Sequence, residues 1–174
     1  SVAVVERDPT YAEASTPRSA GAIRQQFSTP ENINISSYGV EFLKNIDEHL
    51  SVNGEAPDIG FIEGGFLFLA SPEGLAVLEQ NHAIQRRHGA DVVLLSPTQL
   101  EERFSWLGTE GLAAGSLGLS GEGWFDPFTV LQAFRRKARD LGAVYLEDEV
   151  VNVKRHGNRA TGLVLKDKGE IACG

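Results

Sequence analysis

The chain has no methionine and a single cysteine, Cys173, among its 174 residues. One thiol excludes an internal disulfide and fits a reducing compartment. With no activating partner evident, Cys173 reads as a core residue rather than a nucleophile. The absence of methionine even at position 1 leads us to expect a segment of a longer polypeptide. No apolar run approaches the roughly 18 residues of a membrane helix, and no signal peptide opens the sequence, so no membrane partner is expected. Basic residues are in the minority, 16 Lys and Arg against 24 Asp and Glu, a net charge of -8. A phosphate-backbone binder needs a basic face, so nucleic acid is not an expected partner. His49, His82, His88 and His156 lack i, i+4 pairing or an acid at ligand spacing, and no metal site is expected. A G-x-S-x-G elbow is also missing. Chemistry here has to come from a bound cofactor that protein groups orient.

What is present is ordinary for a soluble domain: 41% hydrophobic and 23% charged residues, in a chain long enough to bury a core. It opens on Ser1-Val2-Ala3-Val4-Val5-Glu6-Arg7-Asp8-Pro9. An apolar run without polar alternation predicts a strand buried on both faces, as in a parallel sheet under helices. Glu6 then stands at the carboxyl end of that strand. An acid at this place in a dinucleotide-binding fold accepts hydrogen bonds from ribose hydroxyls; the plainer alternative is the first solvated residue after a strand. The Gly-rich turn that holds the pyrophosphate belongs about 20 residues earlier. Residue 6 leaves no room for it, so either the ribose reading fails or the chain is cut from a longer protein. At the other end, Glu170-Ile171-Ala172-Cys173-Gly174 reads as a strand stopped in mid-course.

A polar, Ser/Thr-rich loop follows Glu6. Small residues at Ser19, Ala20 and Gly21 would let backbone approach a flat or phosphorylated ligand. Arg18 and Arg24 could face an anion there, the alternative being a surface loop with solvated arginines. Pro30 opens a helix capped by Ser28 or Thr29, with Val40, Leu43, Ile46 and Leu50 as its core face and Asn53-Gly54 as its end. Residues 59–63 and 66–70 around Gly64-Gly65 predict a β-hairpin. Ser71-Pro72-Glu73 starts a helix that closes near Gly89. Residues 91–95 form a strand, Ser96-Pro97-Thr98-Gln99 a capping box for a short helix, and residues 112–119 a further strand. Antiparallel hairpins with helices interleaved over 53–122 predict an α+β insertion within an α/β chain. After Gly121-Glu122-Gly123, Asp126 caps a long helix begun by Pro127. Leu131, Phe134, Ala138 and Leu141 make its apolar stripe, Arg135-Arg136-Lys137 its solvated face and Gly142 its stop. Strands at 144–146 and 150–153 follow, and His156-Gly157-Asn158 turns the second into 160–165.

Three stretches together carry a family resemblance: Val2 to Arg24, then Gly64-Gly65-Phe66-Leu67-Phe68-Leu69-Ala70, then Gly123-Trp124-Phe125-Asp126-Pro127 with its helix. In order and spacing the chain resembles the FAD-dependent amine and amino-acid oxidoreductases related to D-amino-acid oxidase, glycine oxidase, sarcosine oxidase and dimethylglycine dehydrogenase. The resemblance implies an incomplete Rossmann-like FAD-binding domain, in segments 1–52 and 123–174, with an antiparallel-sheet substrate-side domain at 53–122. It implies Glu6 as the ribose acid of FAD and Arg7 as its neighbour beside the adenosine. Ser15, Ser19, Ala20 and Gly21 would line the flavin and pyrophosphate, and the Val150 backbone would pair with the adenine edge. Arg24 is the candidate catalytic residue, matching an arginine such oxidases place near the isoalloxazine ring, where fixed positive charge favours the anionic reduced flavin.

The family's first strand with its G-x-G-x-x-G would precede Ser1, and its second flavin segment would follow Gly174. FAD binding by the segment alone is therefore expected to be weak or absent, and the segment inactive. The implied reaction is hydride transfer from the carbon beside an amine onto flavin N5, giving an imine that hydrolyses. A small amine or amino acid is the implied partner, and the cytoplasm, or the mitochondrial matrix in a eukaryote, the implied compartment. The alternative is a non-catalytic member of the family serving as a binding or assembly module; an NAD-binding domain is a third reading. The missing regions would leave a sheet edge and apolar surface exposed, which predicts self-association of the isolated segment into a homo-oligomer. A monodisperse monomer in light scattering would overturn this.

Overall fold

The computed structural model describes residues 2–174; Ser1, which opens the predicted first strand, lies outside them. In chain order the elements are β1 (Ala3–Glu6), β2 (Ala22–Ile23), α1 (Pro30–Lys44), α2 (Ile46–Leu50), β3 (Ile62–Glu63) and β4 (Leu67–Ala70). A 3-10 turn (Pro72–Gly74) leads into α3 (Leu75–Arg87), followed by β5 (Val92–Leu95), α4 (Pro97–Arg103), β6 (Ala114–Gly118) and β7 (Gly123–Trp124). The chain continues through α5 (Pro127–Asp140), β8 (Val144–Glu147), β9 (Val150–His156), β10 (Arg159–Leu165) and β11 (Gly169–Ala172). This is a mixed α/β fold. β1 pairs with β8 in parallel, while β4-β6-β5, β2-β7-β3 and β11-β10-β9 are antiparallel sheets. The β2-β7-β3 sheet draws one strand from each third of the chain.

Two apolar cores hold these layers. Leu43, Ile46, Leu50, Ile59 and Ala133 pack α1, α2 and α5 together, with Ile23 of β2 and Phe61 and Phe125, which flank β3 and β7, against them. Ile33, Ala90 and Val92 form the second, with Phe27 and Ile84. The local signals for helix ends are borne out where a side chain supplies the bond. Ser96 Oγ accepts the Gln99 amide at 3.3 Å while Gln99 Oε1 accepts the Ser96 amide at 2.8 Å, a complete capping box. Asp126 likewise accepts the Phe128 amide at 2.9 Å at the start of α5. Thr29 sits at the head of α1 without such a bond, and α1 breaks at Asn45, so the predicted single helix is two. Asn53 and Gly54, both in the left-handed region at φ 53° and 81°, make the tight turn that joins Val52 to Glu55.

Four expectations are corrected. The predicted hairpin at Gly64-Gly65 does not form: β3 pairs with β7, and β4 with β6. The glycines instead carry the chain from one sheet to the next, where a Cβ on Gly65 would lie 2.2 Å from the Gly118 carbonyl and one on Gly64 2.3 Å from the Trp124 ring. The signal marked a close backbone approach rather than a two-residue turn. The first strand is parallel as predicted but not buried, because a sheet of two strands leaves its faces open and no residue of β1 is fully covered. On α5 the buried residue is Ala133, while Phe134 and Leu141 of the predicted stripe are 49% and 76% exposed. Finally, Arg135-Arg136-Lys137 is not a solvated face. Arg135 Nη1 donates to the Pro9 carbonyl at 3.0 Å, Arg136 Nη2 to Glu55 at 3.2 Å and Lys137 Nζ to Ser51 at 2.8 Å. Three consecutive cations staple loops to the helix.

No helix among the described residues is long and apolar enough to cross a membrane. Ile33→Ala, at a site with no exposed surface, is expected to cost about 2–5 kcal/mol. Ile35→Ala, on the same helix but 68% exposed, is expected to stay within about 0.5 kcal/mol. Urea midpoints at unchanged slope check the contrast.

Candidate functional site

The parallel pairing places Glu6 and Glu147 side by side at the carboxyl edge of β1 and β8. Glu6 Oε1 accepts the Asp8 amide at 2.9 Å, and no donor among the described residues engages Oε2. Asp8 builds the turn that follows, accepting from Thr10 N at 3.0 Å and Ala12 N at 2.8 Å. The Thr10 hydroxyl, foremost, holds the Asp8 carboxyl below its ordinary range. Tyr11 takes a left-handed conformation, φ 58°, rare for a bulky residue. Its ring stacks with the Arg135 guanidinium at 5.5 Å, and Arg135 and Arg139 both lie over Tyr145, at 5.6 and 4.8 Å. Helix α5 thus grips the turn beside Glu6. Sequence reasoning missed this stack; two arginines at i, i+4 on one helix, followed by a tyrosine in the next strand, were the available signal.

Two clefts meet at Glu6. One, of 140 Å³, is walled by Tyr11, Arg135, Arg139 and Tyr145; the other, of 240 Å³, by Arg7, Asp8, Tyr11 and Glu13. A third, of 320 Å³, opens beyond Arg7 between the β8–β9 and β10–β11 turns. Asp148 joins those turns by accepting the amides of Glu149 at 2.7 Å, Asp167 at 3.2 Å and Lys168 at 2.9 Å. Burial acts to raise its carboxyl, but the three amides prevail and hold it below the ordinary value. Arg7 and Lys166 both pair with Glu149 at 3.7 Å, loosely and in water, so these pairs add little stability. Val150 opens β9 just beyond, opposite Leu165.

The remaining candidates lie elsewhere. Ser15, Ser19 and Ala20 are exposed on the loop between β1 and β2, and Ser19 Oγ donates to the Thr16 carbonyl at 2.8 Å. Gly21 is buried, and its missing Cβ is accounted for within the protein: at φ 59°, a Cβ would lie 2.2 Å from the Phe125 carbonyl. Arg18 is paired with Glu13. Arg24 is not ion-paired among the described residues. It lies between the Phe27 and Phe68 rings at 4.8 and 5.4 Å, and its buried Nε has no partner. Glu6 ends β1 and Arg24 follows β2, a strand of another sheet, so the structure describes two loci rather than one closed pocket.

The two loci offer groups of opposite character. An acceptor-only carboxylate with one oxygen to spare, beside an arginine whose side chain is 72% exposed, suits sugar hydroxyls and an adenine. An unpaired guanidinium suits an anionic group. The family model DAO, FAD dependent oxidoreductase, matches residues 1–173. The chain belongs to this FAD-dependent oxidoreductase family. It is 54% identical over 87% of its length to FAD-dependent oxidoreductase domain-containing protein 1 of Xenopus laevis, and 48% identical over 98% of its length to that of Bos taurus. It spans 30% and 36% of those two proteins. Among solved structures, L-proline dehydrogenase from P. horikoshii superposes with a TM-score of 0.76 at 29% identity, over 90% of this chain and 40% of that one. Glycine oxidase from Geobacillus kaustophilus shares the fold, with a TM-score of 0.78 at 22% identity over 98% of this chain and 46% of that one. The resemblance read from the sequence, the fold class and FAD as the family's cofactor are borne out.

A carboxyl held below its ordinary value stabilises the fold above that value, and the contribution is lost as pH falls from there through the lowered folded value. The turns joined by Asp148 are therefore expected to loosen in acid, as pH drops below about 4. Asp148→Asn is expected to lower stability at neutral pH and to flatten this acid limb, as thermal melts of both proteins across that range will show.

Proposed function

We propose that the protein carrying this chain is a flavoenzyme that oxidises the C–N bond of an amine or amino acid, and that this chain supplies its adenosine anchor and part of its flavin surround. The observation that carries the reading is Glu6: a carboxylate at the tip of a parallel strand, one oxygen held by the Asp8 amide and the other open beside two clefts. In this reading Glu6 accepts from the ribose hydroxyls, Arg7 lies along the adenosine and the Val150 peptide meets the adenine edge. Ser15, Ser19, Ala20 and Gly21 border the pyrophosphate and flavin. Bound FAD supplies the acceptor for the hydride leaving the carbon beside the amine. Arg24 contributes a fixed positive charge near the ring, so little acid–base machinery is required of this chain. The names of two structural neighbours, glycine oxidase and L-proline dehydrogenase, favour an amino-acid substrate.

Full-length protein is expected to purify yellow and to bleach anaerobically with a member of an amine and amino-acid panel. The panel should include glycerol phosphate, since an L-alpha-glycerophosphate oxidase is also a structural neighbour. Colourless protein sinks the reading, whereas flavin that no substrate reduces indicates a binding or assembly module. Glu6→Ala removes a hydrogen bond to a charged group, about 1.5–3 kcal/mol, and is expected to weaken FAD roughly ten- to hundredfold in a titration.

A further inference from the structure

Arg24 is held by its neighbours rather than by a counter-ion, and those neighbours trace back to one group. Glu122 has no exposed surface. Its Oε1 accepts the amides of Gln25 at 2.8 Å and Gln26 at 3.0 Å, the two peptides that follow Arg24. Its Oε2 accepts Gln26 Nε2 at 2.9 Å and the Phe66 amide at 3.0 Å. Gln26 Nε2 also donates to the Phe66 carbonyl at 2.8 Å, and its Oε1 accepts from Ser116 Oγ at 2.7 Å. One carboxylate therefore fixes the segment leading into Phe27 and the strand leading into Phe68. These are the two rings that bracket the Arg24 guanidinium. All of its donors are neutral N–H groups, so Glu122 takes no cation for itself.

We propose that Glu122 is the positioning residue for Arg24, registering the two aromatic rings around its guanidinium while leaving that positive charge unpaired. This rests on Arg24 standing beside the flavin. The fold enforces the arrangement sterically as well, since a Cβ on Gly118 would lie 1.9 Å from Glu122 Oε2.

The test is a double-variant cycle in the full-length protein loaded with FAD, read by sulfite titration. Sulfite adds to a flavin where nearby positive charge stabilises the anion that forms, so its affinity reports Arg24 without turnover. Arg24→Gln is expected to weaken sulfite binding about tenfold or more, and Glu122→Gln about three- to tenfold, with the double variant no weaker than Arg24→Gln alone. In the same Glu122→Gln protein, hydrogen exchange at the Gln25, Gln26 and Phe66 amides is expected to rise. If Arg24→Gln leaves sulfite affinity unchanged, Arg24 does not face the flavin and the inference falls with that reading. If Arg24→Gln weakens it but folded Glu122→Gln does not, or the two effects simply add, Glu122 is structural only and the assignment of Arg24 survives. Should Glu122→Gln fail to fold, Gly118→Ala, which displaces the same carboxylate, and Gln26→Met, which withdraws one of its donors, carry the cycle with the same expected outcomes.

Discussion

A single buried carboxylate, that of Glu122, sets the geometry on which the middle of this protein depends. Removing a charge from water is costly unless hydrogen bonds replace those lost. Here the replacements are N–H groups from segments that would otherwise have little reason to meet: the peptides after β2, the start of β4 and a glutamine side chain. Satisfying the carboxylate therefore also assembles the sheets. The β2-β7-β3 and β4-β6-β5 sheets converge on it, and the Glu122 carbonyl accepts both Gly64 and Gly65 amides at 3.2 and 3.1 Å. Such a centre tolerates no side chain on its flanks. At Gly123 a Cβ would lie 2.0 Å from the Ile62 carbonyl, which is why an acid bracketed by glycines appears at this point in the sequence.

Helix α5 does for the loops what Glu122 does for the sheets. Its consecutive basic residues bond to the carbonyls of Pro9, Glu55 and Ser51. Loop carbonyls without ladder partners need donors, and long cationic side chains can reach them while burying their stems along the helix. The turn after Glu6 and the turn after α2 are thereby referred to one rigid element. A substitution on the helix that preserves its helicity would still be felt at the turn after Glu6 through Arg135.

What could be read in the sequence was short in range. Asp126-Pro127, the Ser96 capping box and the acid closing an apolar run act within a few residues, and the structure holds each of them. The failures share a different cause. Glu122 meets Gln25 and Phe66 across 97 and 56 positions, and Arg135 meets Pro9 across 126. No local pattern encodes such pairings, so Glu122 drew no role of its own and three cations in a row read as a wet face. The Gly64-Gly65 hairpin failed for the same reason, its glycines serving strands far away in sequence rather than each other.

The two loci consequently differ in how they are built. Around Glu6 the turn is self-organised, by Asp8 and its near neighbours on one side and by Asp148 bridging adjacent hairpins on the other. Around Arg24 only Phe27 is local: the second ring, Phe68, and the carboxylate that registers both come from distant segments. The Glu6 carboxylate has one oxygen fixed by the tight turn that follows it. The Arg24 guanidinium is held the opposite way, by aromatic faces registered by a carboxylate whose own donors are neutral N–H groups. Both residues could be named from the sequence, but the turn that sets Glu6 is encoded within a few residues, whereas the setting of Arg24 is visible only in the fold.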